Sequence, residues 1–487
     1  MIVTQEQTSE VIDPIVTQAF ESRLLGSLIR PGDAEYDESR QLVNVLFDRH
    51  PAYIVRAADA ADVIRAVELA RTNDLPLTVR SGGHSVSGQS VADGSVVVDL
   101  SRMKAISVDP EQRTVWAQPG VTTADMCAAV QPHGLALSTG DTASVGLGGL
   151  TTGGGIGFLV RKHGLTIDSL RSVEVVTADG RLIVASANQH EDLFWAIRGG
   201  GGNFGIVTGF EFDLHPVGIV LGGALVLPVT PEVLRGYAEY APTAPDELTT
   251  IASIMPAPPL PIIPAEAHGK PAFIVLVCYA GDIEEGQRAV APLRALAEPI
   301  AELLVPMPYS ALFDFTAAGS HRHAGTVKSG FLDGLSDGAI EAIVENVRTS
   351  FDPFAMIQIR ALGGAMARVS NDATAFAHRD KSLFLALINT GVEMENRKWV
   401  DELWSSLQPY TSGVYVNFLG DEGEDRIREA YPALTYARLA GVKLRYDPTN
   451  VFKFNQNIKP AGAPADRPSS RLARLANRLP ILGEGKA

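Results

Sequence analysis

The chain has 487 residues, of which 46% are hydrophobic and 20% are charged, and its formal net charge is -15. This length is more than one hydrophobic core usually supports, so the sequence predicts two domains. The negative charge argues against binding to phosphate backbones or to anionic lipid, and we expect no nucleic-acid partner.

The compartment is predicted from what the sequence lacks. Residues 1–20 mix acidic and amide side chains with apolar ones, and no later segment reaches the roughly 18 apolar residues of a membrane span. We therefore expect a cytoplasmic protein with no membrane partner. Its two cysteines, Cys127 and Cys278, are too few for a secreted disulfide framework, so buried and inert thiols are predicted. The sequence leaves the oligomeric state open.

The first 217 residues mix strands and helices. Apolar spacing in residues 54–80 predicts a strand, a helix and a second strand. The Asp-Gly turn at 179–180, flanked by apolar runs, predicts a hairpin. Further strands are predicted at 96–100, 105–109 and 114–118.

Three glycine-rich clusters interrupt this region. Residues 80–85 read Arg-Ser-Gly-Gly-His-Ser directly after a predicted strand, and a second cluster occupies residues 140–157. Adjacent glycines let backbone N–H groups approach an anion such as pyrophosphate, so the glycine density predicts backbone lying against a flat, extended ligand. The third cluster, residues 198–205, contains a formal GxGxxG, but it follows the predicted helix Glu191–Ile197 and not a strand. It therefore does not qualify as a dinucleotide-binding fingerprint.

The glycine density falls after residue 216, where a second domain is predicted. Proline-rich residues 256–271 are predicted to connect two strands, either as a plain linker or as the lining of a substrate entrance. Gln358 and Arg360 alternate along a predicted strand and therefore share one of its faces. The predicted strands are 273–277, 357–361 and 383–389, and the predicted amphipathic helices lie near 283–297, 336–349 and 394–408.

Other histidines and the C-terminal residues give weaker signals. His321 and His323 have no carboxylate or cysteine nearby, so no metal site is predicted. His163 and His378 are candidate proton acceptors, because an unperturbed histidine titrates near neutral pH, and a structural role is open for each. The basic, leucine-striped segment 471–479 leaves open docking on the acidic body, disorder, or contact with an acidic partner or membrane surface.

The order and spacing of the three glycine clusters, together with residues 436–460, resemble the PCMH-type (vanillyl-alcohol-oxidase) superfamily in its berberine-bridge-enzyme-like branch, over nearly the whole chain. The resemblance implies an α+β, two-domain fold. It consists of an FAD-binding domain (1–217), a substrate-binding domain of antiparallel sheet covered by helices (218–410), a return to the FAD-binding domain (411–460) and a C-terminal tail (461–487).

The resemblance also implies how FAD is held. His84 stands where the family bonds a histidine to the flavin 8α-methyl group, and Thr142 stands where many members have a second, cysteinyl attachment, so a single covalent link is expected. Val145 occupies a position where a compact valine is associated with oxidases. Residues 80–85 are expected to cradle the pyrophosphate. The other cofactor-binding residues implied are Arg80, Ser81, Gly82, Gly83, Ser85, Gln89, Gly146, Gly149, Gly155, Ile156, Gly157, Val207 and Asn455.

The catalytic side departs from the family. Ile156 and Phe418 replace two frequent tyrosines, and Gln358 and Arg360 align with the active-site pair, where relatives carry a base. An arginine stays protonated, so Arg360 is interpreted as an anchor for a carboxylate, phenolate or enolate, or as a stabiliser of negative charge on the flavin. Proton loss to water, to solvent bound by Asn417 or to Tyr415 is expected in place of a dedicated carboxylate.

The resemblance thus implies an FAD-dependent oxidase. It would remove two electrons, as hydride to flavin N5, from an alcohol or amine carbon or a secondary metabolite, and return them to dioxygen as hydrogen peroxide. The expected partners are a small-molecule substrate and dioxygen. Two alternatives stay open: an oxygenase using an oxygenated flavin adduct, which Thr142 would suit, and a redox-silent flavin-binding protein, which the missing tyrosines and Arg360 would suit.

Overall fold

The computed structural model of the protein describes residues 12–463. The segment 471–479, with its open question of docking, lies outside the described residues. Within the described range, no helix combines the length and the apolar character needed to cross a bilayer.

The first part of the chain contains both sheets and short helices. Its strands are β1 (Ser27–Ile29), β2 (Tyr53–Arg56), β3 (Leu77–Arg80), β4 (Val96–Asp99), β5 (Ile106–Asp109), β6 (Thr114–Ala117), β7 (Leu135–Ala136), β8 (Leu170–Val176), β9 (Leu182–Ser186), β10 (Ile206–Asp213) and β11 (His215–Pro216). Its helices are α1 (Pro14–Glu21), α2 (Tyr36–Ser39), α3 (Ala60–Thr72), α4 (Thr123–Val130), α5 (Leu147–Gly153), α6 (Val160–His163) and α7 (Glu191–Ile197).

The predicted strand-helix-strand unit is β2, α3 and β3, but its two strands are not neighbours. Both pair in parallel with β4, which lies between them. α3 begins where the Asp59 side chain accepts a hydrogen bond from the N–H of Asp62 at 2.9 Å. The buried face of α3 packs on this sheet. The carboxyl end of β3 therefore delivers residues 80–85 from a well-fixed strand.

A second sheet has the order β5-β6-β10-β8-β9 and is antiparallel throughout. Its strands β8 and β9 are the predicted hairpin around residues 179–180. This sheet shares one buried core with α4 and α7. α7 matches the predicted helix Glu191–Ile197, and the third glycine cluster follows it directly.

The middle of the chain forms a large antiparallel sheet in the order β15-β12-β14-β13-β17-β18-β16. Its strands are β12 (Ile219–Leu227), β13 (Leu248–Pro256), β14 (Pro271–Tyr279), β15 (Ala301–Pro308), β16 (Thr326–Leu332), β17 (Ala355–Ala361) and β18 (Leu383–Asn389). Its helices are α8 (Pro231–Tyr240), α9 (Ile283–Arg294), α10 (Asp337–Thr349), α11 (Ala365–Arg368) and α12 (Met394–Leu407). One sheet face shares a buried core with α8, α9, α10 and α12, and this core includes Leu234, Val290, Leu403, Ile357 and Leu385. The predicted antiparallel sheet covered by helices is confirmed.

The opposite face of the large sheet carries the predicted strand pair. Gln358 lies beside Ser253 in the register of β17 and β13. The proline-rich connection between β13 and β14 folds over this same face, where Ala257 and Ile263 are buried against Ile274. The predicted role as a connection between strands is therefore confirmed, and a role at a substrate entrance stays a prediction.

Arg161 of α6 joins the first region to the large-sheet region. It is 1% exposed, and its guanidinium donates to backbone carbonyls of the second region, at 2.8 Å to Leu248 and 2.9 Å to Pro242, and also to Ala244 and Leu362. A buried charge needs such a set of acceptors. The two regions are thus held together by hydrogen bonds to a side chain as well as by apolar contact.

The chain then returns to the first region through α13 (Glu424–Ala430) and α14 (Ala433–Tyr446). Residues Val414, Leu419, Tyr431 and Ile458 are buried in the core that contains α7. This packing supports the predicted return at 411–460, while the boundaries at 217, 410 and 460 stay predictions.

A buried ion pair fixes the returning segment. The Nζ of Lys443 lies 2.6 Å from Asp447 and donates to the carbonyls of Asn203 at 2.7 Å and Phe452 at 2.8 Å. Asp447 in turn accepts from the backbone N–H groups of Val451 and Phe452. The last described segment is therefore bonded to the third glycine cluster.

Candidate active site

The first glycine cluster is anchored by its leading side chains. Arg80 pairs with Asp99 at 2.6 Å and donates to the carbonyl of Ser39. The Ser81 hydroxyl donates to the carbonyl of Pro119 at 2.6 Å. The side chains of both predicted cofactor residues thus bond to protein groups, and their effect is to hold the start of the loop.

The first and second clusters touch each other through glycine backbone. A Cβ atom at Gly82 would lie 2.5 Å from the backbone nitrogen of Gly146, and a Cβ at Gly146 would lie 2.2 Å from the Ser81 hydroxyl. Packing of the protein alone therefore requires glycine at these two positions. Gly149 differs, because its Cβ would meet no atom within 4 Å.

Later glycines of the second cluster are also in close contact with protein. A Cβ at Gly155 would lie 2.0 Å from the Thr166 hydroxyl, and a Cβ at Gly157 would lie 1.9 Å from the carbonyl of Thr139. Gly155 also has φ +84°, where a side chain is strained. Internal packing therefore explains more of the glycine density than the predicted approach of a ligand does.

His84 joins the same two clusters. Its Nε2 lies 2.9 Å from the Ser144 hydroxyl, in a hydrogen bond whose direction depends on the tautomer. Burial, with a smaller contribution from the nearby His323, lowers the pKa of His84 to about 4. The imidazole is therefore neutral near pH 7, and one ring nitrogen keeps a lone pair.

The backbone around His84 offers hydrogen-bond donors. Among residues 12–463, no carbonyl or side chain accepts from the N–H groups of Gly82, Gly83, His84 or Ser85. Consecutive unpaired N–H groups in a loop form a concavity that suits an anion. Next to it, the Ser85 and Ser87 hydroxyls lie 3.1 Å apart, and Ser87 donates to Gln89 at 3.3 Å.

Two further predicted cofactor residues lie on the first region. Val207 of β10 is buried in the core. Asn455 donates to the carbonyl of Phe452 at 3.2 Å, while its Oδ1 is buried and has no partner among the described residues. A Cβ at Gly202 would come only as close as 4.0 Å to Asn455. An orphaned amide oxygen beside an open glycine is a second polar feature that a ligand would satisfy.

The side chains at the predicted second attachment position and the predicted oxygen-control position contact protein groups. The Thr142 hydroxyl donates weakly to Asp141 at 3.4 Å. Val145 is half-buried and packs against the core of the first region, as a structural valine would. Ile156 is buried in an aromatic cluster with Phe376, Phe384 and Tyr415.

Arg360 of β17 lies on the face of the large sheet opposite the helices, in register with Ile251 and Phe384. Its Nε donates to the Gln358 amide oxygen at 2.8 Å, and the guanidinium lies 5.0 Å from the ring centroid of Phe418. Its Nη2 forms an ion pair with Asp141 at 2.8 Å. The predicted pair is therefore confirmed as neighbours on one face, and it is joined by a carboxylate from the second glycine cluster.

Asp141 was missed by the sequence-based prediction. It precedes Thr142 directly and is a charged residue within a run of small residues and glycines, which is the signal that was available. Its partner lies 219 positions later, and no local pattern indicates that pairing.

Tyr415 and Asn417 form a second polar group beside Arg360. The Tyr415 hydroxyl accepts from the Gly155 N–H at 2.9 Å and from the Asn417 amide at 2.9 Å, and Asn417 also donates to the carbonyl of Leu150 at 3.2 Å. Burial raises the pKa of Tyr415 to about 12. Tyr415 is therefore a neutral phenol near pH 7 that holds the backbone of the second cluster.

The remaining candidate groups lie in structural surroundings. His378 Nε2 lies 3.0 and 3.1 Å from the carbonyls of Glu429 and Ala430, which makes it a donor there. The ring of His163 stacks on His215 at 4.1 Å, and its Nε2 is buried without a partner in the described part of the chain. No cluster of His, Cys, Asp and Glu in residues 12–463 suits a metal, and Cys127 and Cys278 are free and buried as predicted.

The comparisons with known proteins agree with this architecture. A family model described as "FAD binding domain" matches residues 51–186, and one described as "Berberine and berberine like" matches residues 414–459. The uncharacterized FAD-linked oxidoreductase YgaK of Bacillus subtilis is 33% identical over 90% of this chain and 98% of its own. The (R)-6-hydroxynicotine oxidase of Paenarthrobacter nicotinovorans is 30% identical over 90% of this chain and 97% of its own.

A solved structure shows the same fold. The crystal structure of 6-hydroxy-D-nicotine oxidase from Arthrobacter nicotinovorans superposes with a TM-score of 0.80 at 26% identity, covering 90% of this chain and 98% of that one. The fold and the paired family models define an FAD-linked oxidoreductase. The chain belongs to the berberine-bridge-enzyme-like family.

Proposed function

We propose that this protein is an FAD-dependent oxidase that removes two electrons from an alcohol or amine carbon of a small molecule and returns them to dioxygen as hydrogen peroxide. The observation that carries the proposal is the unpaired N–H run of residues 82–85 beside a buried, neutral His84. The nicotine oxidases among its relatives, by their names, are oxidases of an amine-bearing small molecule.

The residues present fit FAD. The N–H groups of Gly82, Gly83 and Ser85 would hold the pyrophosphate, and the orphaned Asn455 oxygen would accept from another part of the dinucleotide. His84 would carry a single covalent link, because Thr142 offers no thiol for a second one. When bound, FAD supplies the two-electron chemistry, and the protein supplies binding, orientation and electrostatics.

The substrate would lie on the face of the large sheet that carries Arg360. The guanidinium of Arg360, held by Gln358 and Asp141, would orient a hydrogen-bond acceptor of the substrate. Asn417 and Tyr415 fix the glycine backbone of residues 150–155 at the side of this pocket. Because Tyr415 is protonated and Asp141 is ion-paired, the substrate proton would leave to solvent and not to a dedicated base.

Denaturation in acid tests the covalent link. We expect yellow colour to stay with acid-precipitated protein and to be absent from precipitated His84→Ala. The exposed residue His50 provides the matched control, and His50→Ala should keep the colour. Colourless wild-type precipitate from flavin-replete protein would contradict the proposed attachment.

Anaerobic mixing with a panel of amines and alcohols tests the redox role. Bleaching of the flavin by any of them, followed by peroxide on admission of air, is the expected result. A flavin that no substrate bleaches would favour the redox-silent alternative. Oxygen from labelled dioxygen appearing in the organic product, and not in peroxide, would favour the oxygenase.

A further inference from the structure

The ion pair between Arg360 and Asp141 bridges the two regions at the proposed pocket. The Arg360 side chain is 6% exposed and that of Asp141 is 13% exposed, so the pair is shielded from solvent. Asp141 is also fixed through its backbone, because the Thr316 hydroxyl donates to its carbonyl at 2.5 Å. The carboxylate is therefore a permanent part of the pocket wall.

Pairing removes the net charge but leaves one donor. Nε of Arg360 bonds to Gln358 and Nη2 pairs with Asp141, whereas Nη1 has no acceptor among residues 12–463. The pocket therefore presents an N–H group without a net positive charge. A carboxylate ligand needs a net cation to offset its desolvation, and a neutral oxygen or nitrogen acceptor does not.

Apolar groups also line this site, next to the polar Tyr415 and Asn417 described above. Phe418 covers the guanidinium face, and within residues 12–463 the Gln358 amide nitrogen has only the Met356 sulfur, at 3.7 Å, as an acceptor. An apolar wall strengthens every electrostatic contact and raises the cost of an unpaired ion.

We propose that Asp141 is a specificity-determining residue: it neutralises Arg360, so that the pocket selects uncharged substrates that present a hydrogen-bond acceptor and rejects carboxylates. This inference rests on the proposed function, since it concerns the same site. It replaces the sequence-based interpretation of Arg360 as a carboxylate anchor. For an amine substrate, it selects the unprotonated amine, which is also the form that gives up hydride.

Three planar isosteres of different charge test the proposal: benzoate, benzamide and benzamidine. Their binding to the purified wild-type holoprotein is measured by isothermal titration calorimetry. We expect benzamide to bind at least about tenfold more tightly than benzoate or benzamidine, a difference of about 1.4 kcal/mol. Benzoate binding as tightly as benzamide, or no binding of any probe, would overturn the proposal.

Two reciprocal variants locate the effect. In Asp141→Asn the freed guanidinium should raise benzoate affinity relative to benzamide by about tenfold or more, because Arg binds carboxylates in a bidentate fashion. In Arg360→Gln the unpaired carboxylate should raise benzamidine affinity instead. Asp314→Asn removes one exposed carboxylate from the neighbouring segment 309–320 and should leave all ratios unchanged.

The variants are checked for folding by their circular dichroism. If Asp141→Asn does not fold, Arg360→Gln and the wild-type ranking still decide the matter. An unchanged benzoate-to-benzamide ratio in folded Asp141→Asn would overturn the proposal. Failure of the proposed function would give a different result, namely a flavin that is not attached or not reduced. The affinity ratios of the three probes depend on neither of these measurements.

Discussion

The proposed cofactor side of this molecule depends on contacts between backbone atoms, whereas the proposed substrate side depends on contacts between side chains. On the cofactor side, Gly82 and Gly146 bring two backbones into contact, and there is no room for a Cβ atom between them. On the substrate side, Gln358, Arg360 and Asp141 meet through the ends of their side chains. Backbone contact fixes residue identity, whereas side-chain contact lets specificity change while the fold stays. Both glycine clusters lie within residues 51–186, which the FAD-binding family model matches, and a departure of the substrate side from the family stays a prediction.

The largest expected effect on function, loss of the flavin, is at the backbone contact between the two glycine clusters. Gly82→Ala places a Cβ 2.5 Å from the nitrogen of Gly146, so the two clusters must separate, and we expect loss of flavin incorporation together with about 1–3 kcal/mol of stability. Flavin absorbance per protein and urea unfolding measure both. Gly218→Ala, with nothing within 4 Å, is the control and should change neither.

Gly149→Ala sharpens the same comparison. Its Cβ meets no protein atom within 4 Å and the residue lies in α5, so we expect apoprotein stability to be unchanged or raised by up to about 1 kcal/mol while the flavin content falls. Equal flavin content in Gly82→Ala and wild type would show that the contact between the clusters does not shape the cofactor site.

The next effect is on stability alone and concerns the Arg161 hydrogen bonds that connect the two regions. Arg161→Met leaves several buried carbonyls without a donor, and we expect a loss of about 3–5 kcal/mol in the free energy of unfolding. Arg288→Met removes an exposed arginine of α9 and should stay within about 0.5 kcal/mol of wild type. A similar value for both variants would mean that the two regions do not depend on Arg161.

The smallest effect is a pH dependence. Burial lowers the pKa of His163 from 6.5 to about 3. Between these two pH values, the unfolded chain binds a proton at this residue that the folded protein does not. The contribution of neutral His163 to stability is therefore fully present above pH 6.5 and is lost as the pH falls toward 3. His163→Phe keeps the stack on His215 and should reduce proton uptake on unfolding by up to about one proton.

Urea unfolding at several pH values measures how steeply the free energy of unfolding changes with pH. The useful range is roughly pH 4 to pH 7, where histidine linkage acts. His50→Phe, at an exposed position, is the matched control. An unchanged slope in His163→Phe would place the acid sensitivity elsewhere.

Local patterns predicted the secondary-structure elements well, whereas the residues assigned to the cofactor stay predictions. Apolar spacing placed α7, α10 and α12 to within a residue, and the Asp-Gly turn placed the hairpin of β8 and β9. Local patterns did not predict the contacts between distant segments. These are the position of β4 between β2 and β3, the hydrogen bonds of Arg161 to four carbonyls, and the ion pair between Asp141 and Arg360. Each depends on tertiary packing that leaves no periodic signature in the chain.

The burial of Lys443 has a consequence for how the protein is made. The third glycine cluster is complete only when Lys443, paired with Asp447, donates to the Asn203 carbonyl, some 240 residues after that cluster leaves the ribosome. The large sheet, by contrast, is contained within residues 219–389, all of which emerge earlier. Domains tend to fold as they are synthesised, so the substrate side acquires its core while the first region still waits for its last segment. We therefore expect flavin capture to be among the final steps of biogenesis, and a ribosome-stalled chain ending before residue 443 to bind no flavin.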